Sequence, residues 1–115
     1  MEGTKIYERS YKELVKLQKN LSNNEIVINF KNLDTNSSGS IRSVLSNFSS
    51  KCNECGFDNS DCIIKKIKNT LSFDEVKIKF SEMEDFCSGI LKNKLMNVFR
   101  DRAKSVYSTI TNNSN

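Results

Sequence analysis

The residues best equipped for chemistry in this 115-residue chain are its four cysteines, Cys52, Cys55, Cys62 and Cys87. Cys52 and Cys55 form a C-x-x-C-G stretch, the spacing of one zinc knuckle. Together the four thiolates could close a tetrahedral site. An all-cysteine site normally combines two close pairs, however. Here Cys62 stands alone on a predicted helix, and Cys87 falls 25 positions later in a predicted turn. Free thiols at a junction are therefore the first expectation, with structural zinc the alternative. A redox C-x-x-C lacks the strand that would lead into it. In a secreted chain, the same four residues would allow two disulfides in any of three connectivities.

A second chemical feature occurs twice. Asn36-Ser37-Ser38-Gly39 is echoed by Phe86-Cys87-Ser88-Gly89. Small residues let a backbone turn sharply, and serine caps a following helix. The free N–H groups and dipole at such a helix start also suit a phosphate. Among the acids, Glu82, Glu84 and Asp85 have no basic or apolar neighbour that would tune them as a catalytic pair. Histidine is absent, which removes the usual general base and the commonest metal ligand. No P-loop, dinucleotide fingerprint, nucleophile elbow or EF-hand loop occurs. Neither an enzymatic activity nor a cofactor is expected.

The elements that must position these residues also recur. Residues 21–49 lie over 71–99 without a gap at a shift of 50. Leu21/Leu71, Glu25/Glu75, Ile28/Ile78, Phe30/Phe80, Ser38/Ser88, Gly39/Gly89 and Leu45/Leu95 are among the identical pairs. A period of this length suits duplicated structural units. Unit one covers about 5–50 and unit two about 56–107, followed by a frayed tail at 108–115. Each unit reads helix, strand, turn, helix. Tyr7, Tyr11, Leu14 and Leu17 recur at helical steps, as do Ile63, Ile64, Ile67 and Leu71. Glu25–Phe30 and Glu75–Phe80 alternate like half-buried strands, leaving Lys77 and Lys79 in water. The next helices are expected to begin near Ser40 and Ile90. The predicted fold is a single α/β domain with a small, one-sided parallel sheet joined by a right-handed crossover. Such a thin sheet invites a homodimer that joins strand edges.

The stretch "EIVINFKNLDTNSSGSIRSVL" resembles the central segment of STAS domains, the anti-sigma-factor antagonist family. "EVKIKFSEMEDFCSGILKNKL" is similar to related STAS-like domains. The resemblance implies an α/β layer, a docking surface for a protein partner, and phosphorylation of the first serine of the turn. That serine is Ser37, with Ser38 and Gly39 completing the turn. In the second copy, Ser88 and Gly89 match but Cys87 replaces the modified serine.

Composition sets the remaining bounds. The net charge is +4, with Lys and Arg spread evenly over both halves. A basic nucleic-acid-binding protein is the alternative function, with Lys65, Lys66, Lys68, Lys77, Lys79, Arg100, Arg102 and Lys104 as its phosphate contacts. No apolar run approaches the ~20 residues of a membrane span. The N-terminus lacks a signal-peptide core, so a cytoplasmic location with reduced thiols is expected. The leading expectation is a small regulatory protein–protein interaction module.

Overall fold

The computed structural model describes residues 2–50, 74–83 and 85–113. Helix α1 (Glu2–Asn20) leads into strand β1 (Glu25–Asn29), a 3-10 turn (Phe30–Asn32) and helix α2 (Thr35–Ser50). Strand β2 (Glu75–Lys79) follows, then a second 3-10 turn (Phe80–Glu82) and helix α3 (Asp85–Asn113). Among the described residues the protein is thus three helices packed on a two-stranded sheet. None of these helices is long and apolar enough to cross a membrane.

The sheet is antiparallel, with Ile26 opposite Ile78 and Ile28 opposite Val76. These four side chains are buried, while Glu25, Val27, Glu75, Lys77 and Lys79 face out. The expected parallel sheet and its crossover are therefore corrected. The physical signal was in the alternation itself. Parallel strands are normally covered on both faces and read as continuous apolar runs, whereas one wet face is the habit of antiparallel pairs. The ladder gains one bond at each end, from the Phe30 N–H to the Asp74 carbonyl and from the Phe80 N–H to the Asn24 carbonyl, each 2.7 Å.

The helices cover the buried face. α1 contributes Leu14, Leu17 and Leu21, and α2 contributes Ile41, Leu45 and Phe48. On α3 the buried row is Cys87, Leu91, Leu95, Phe99 and Ala103, at steps of four, then Val106. A four-residue step overshoots one helical turn, so this row winds around the helix along an inclined ridge. Its winding lets one long helix pack on both α1 and α2. Burying each such Leu or Phe side chain is worth about 1.5–3 kcal/mol.

Two complete helix–strand–helix units are not supported. The expected first helix of unit two lies outside the described residues, and α2 and α3 differ in length, at 16 and 29 residues. What does match at a spacing of 50 is local. Asn29 and Lys79, which precede the 3-10 turns, have φ/ψ of −100°/100° and −102°/98°. The Arg42 guanidinium sits 4.0 Å from the Phe30 ring centre, and the Lys92 ammonium sits 4.9 Å from that of Phe80. The tail expectation is also corrected, because α3 continues to Asn113.

Candidate functional site

The serine–glycine stretch of the first copy is helix rather than an open turn. α2 begins at Thr35, five residues before the expected start. The reason is Asp34. Its carboxylate accepts a hydrogen bond from the Ser37 N–H at 3.2 Å, and its carbonyl accepts from the Ser38 N–H at 2.9 Å. Asp34 thus caps α2 and places a negative charge at the positive end of its dipole. Ser37 and Ser38 are carried into the first turn of the helix, followed by Gly39. In α3, which starts at Asp85, Cys87, Ser88 and Gly89 are likewise helical. A Cβ at either glycine would meet nothing within 4 Å, so no turn requires them.

Asp34 is also the centre of a buried polar cluster drawn from all three helices. The Ser10 hydroxyl of α1 donates to its Oδ1 at 2.6 Å and accepts from its backbone N–H at 3.1 Å. Arg102 of α3 approaches Oδ2 at 3.6 Å and donates through Nε to the Ser37 hydroxyl at 3.0 Å. Burial opposes the charge on Asp34. Hydrogen bonds from Ser10, from the Ser37 side chain and from the Ser37 backbone outweigh it, helped by the Arg102 charge. The carboxyl is therefore held below its ordinary value. Ser10 and Ser37 are 0% exposed and Asp34 4%. The Ser10–Asp34 contact has the length of a nucleophile–base pair, but no substrate reaches it. A kinase likewise has no access to the Ser37 hydroxyl while α2 is folded. The cluster is a structural clasp, with every partner satisfied.

The cysteines differ from expectation as well. Cys87 is 0% exposed and disulfide-bonded. Cys52, Cys55 and Cys62 lie outside the described residues. The expectation of a free thiol is corrected at Cys87; for the other three cysteines the free-thiol and zinc expectations fall outside the described residues. Among the described residues no group of three metal-ligating side chains comes together.

The basic residues expected to track phosphates are dispersed. Lys77 pairs with Glu25 at 3.7 Å, Lys79 with Glu82 at 3.8 Å, and Arg102 with Asp34. Lys65, Lys66 and Lys68 lie outside the described residues. Arg100 and Lys104, however, stand near a second group of basic residues, on α1. Lys5, Arg9, Lys12, Lys16 and Lys19 stand at steps of four and three along α1, and all five are exposed. Those steps place them in one row on the helix surface, about 21 Å long. Beside the row, a groove of about 420 Å³ runs between α1 and α3, with Tyr11, Val15, Ala103 and Tyr107 in its walls. Lys19 borders it from α1, and Arg100 and Lys104 border it from α3. A neighbouring depression on α1 includes Lys12 and Lys16. No acid lines either concavity. The Tyr11 and Tyr107 rings lie 5.7 Å apart, tilted at 44°. None of the seven cations forms a salt bridge among the described residues. The row was legible in principle, since the same helical period that picks out Leu14 and Leu17 picks out the lysines.

Comparison with protein-family models, curated proteins and solved structures finds no match to this chain.

Proposed function

We propose that this protein is a small, non-enzymatic binding module whose ligand is an extended polyanion laid along the α1–α3 face. The observation that carries this reading is the unpaired cationic row of α1, continued across the groove by Arg100 and Lys104. Lys12, Lys16, Lys19, Arg100 and Lys104 border the two concavities, Lys5 and Arg9 extend the α1 row beyond them, and the exposed Glu8 is the acid within that row. Such a local field concentrates anions and steers their approach. Binding releases counterions, so the affinity falls steeply as salt rises. The serine–glycine stretch around Ser37, which resembles a STAS-like docking turn, is a different surface, and its Ser37 hydroxyl is buried.

The test is a titration at about 50 mM salt with three probes: a single-stranded oligonucleotide, polyphosphate and a heparin oligosaccharide. The protein carrying Lys12→Gln, Lys16→Gln and Lys19→Gln is compared with one carrying Lys31→Gln, Lys77→Gln and Lys79→Gln, which loses the same charge elsewhere. At least one probe binds the native protein and the second variant, and binds the first variant about tenfold more weakly. If no probe binds, or if both variants lose affinity equally, the reading is overturned.

A further inference from the structure

We propose that the outer edge of β1 is a self-association surface, and that it pairs antiparallel, about Val27, with β1 of a second copy of this chain. The dimer requires no polyanion. The bonds from Phe30 to Asp74 and from Phe80 to Asn24 set the alternation of the ladder. Ile26 and Ile28 therefore turn their backbone groups toward β2, and Glu25, Val27 and Asn29 turn theirs away from it. On that outer side no further strand is paired among the described residues, and no other backbone hydrogen bond engages these three. A row of unpaired N–H and C=O groups is a template for another strand.

The two edges of the sheet differ in how they are guarded. Proteins blunt a free edge with lysine, proline or a bulge. At its outward-bonding positions β2 carries Lys77 and Lys79. Pairing β2 with its own copy about Lys77 would set one Lys77 against the other, and like charges directly opposite are destabilising. β1 has no lysine, proline or extra residue to break the ladder. At its centre Val27 is 41% exposed, a large apolar side chain left in water.

β1 is also complementary to itself. Turned about Val27, it sets Val27 on Val27, Ile26 on Ile28 and Glu25 on Asn29 of the second copy, so no like charges meet. The Asn29 Oδ1 accepts from the Lys31 N–H at 3.1 Å, which leaves the amide hydrogens to face the Glu25 carboxylate. Such a contact is isologous and closes at a dimer, with the lysine-guarded β2 edges outermost. Strands of five residues make a small interface, so the dimer is weak and concentration-dependent.

The test is sedimentation velocity on the full chain from about 5 µM to about 500 µM, with amide hydrogen exchange followed by NMR at both ends of the range. The expected result is a shift from monomer to dimer. At the high concentration the N–H groups of Glu25, Val27 and Asn29 exchange several-fold more slowly, while those of Glu75, Lys77 and Lys79 are unchanged. In Val27→Glu the new carboxylate faces Lys77 within its own copy but a like charge across the two-fold, so association weakens about tenfold or more. Val27→Thr, which keeps the β-branch, still dimerises. A chain that stays monomeric throughout overturns the proposal and leaves the edge to a strand of some other protein. A dimer whose protection falls on Glu75, Lys77 and Lys79, or on neither edge, overturns it too, as does a Val27→Glu dimer as tight as the native one. The exchange measurement uses the native chain, so it decides the matter even where Val27→Glu fails to fold.

Discussion

At the scale of single residues, Asp34 has the largest stake in the fold. It caps α2, pairs with Arg102 and holds Ser10, so one carboxylate ties three helices together. Asp34→Ala strands the partly buried Arg102 charge and removes the cap, and is expected to cost about 3 kcal/mol, read by urea denaturation. The pH dependence follows from the lowered pKa of Asp34. Its stabilisation is complete above the unfolded value of about 3.9 and is lost as the pH falls through the folded value. Asp34→Asn therefore shows a flatter decline of stability in acid than the native chain. Ser37 gives a second expectation. Ser37→Ala loses one hydrogen-bonded hydroxyl, a cost of about 1 kcal/mol. Ser37→Asp places a second carboxylate against Asp34 in a buried site, and melts at a clearly lower temperature than Ser37→Ala. Equal melting temperatures for the two would mean that the hydroxyl is not confined as described.

At the scale of elements, the glycines mark where local sequence and structure disagree. Gly39 and Gly89 sit inside helices, without a left-handed φ and with open space at the Cβ position. Glycine within a helix costs up to about 1 kcal/mol relative to alanine. Gly39→Ala and Gly89→Ala should each raise stability by about 0.5–1 kcal/mol, measured by thermal melting; a loss would reveal a need for glycine that the backbone does not show. The same stretch explains what could and could not be read beforehand. Strand positions 25–30 and 75–80 and the apolar faces of α1 and α3 were legible, because burial imposes periods of two and of 3.6. The start of α2 was not, because Ser-Ser-Gly has turn chemistry and a distant clasp, Ser10 and Arg102, decides the outcome. Strand direction was misread because pairing depends on where the chain returns after α2. Of the candidate site, only Arg100 and Lys104 were named in advance. The cationic row on α1 is written in the same spacing, on the side of the helix opposite its apolar face.

At the scale of the whole molecule, the row of like charges on α1 works against the fold that displays it. Lysine and arginine three and four positions apart repel each other by a few tenths of a kcal/mol per pair. Added electrolyte screens that repulsion, so the unliganded protein should melt at a higher temperature as sodium chloride is raised from about 10 mM to about 300 mM. Over the same interval a bound polyanion loses its hold, and with it the extra stability that ligation confers. The two melting curves, free and complexed, are thus expected to approach one another from opposite directions. Ionic strength becomes a dial that trades grip for sturdiness, and a molecule so arranged is at its most fragile in dilute media when nothing is attached to it.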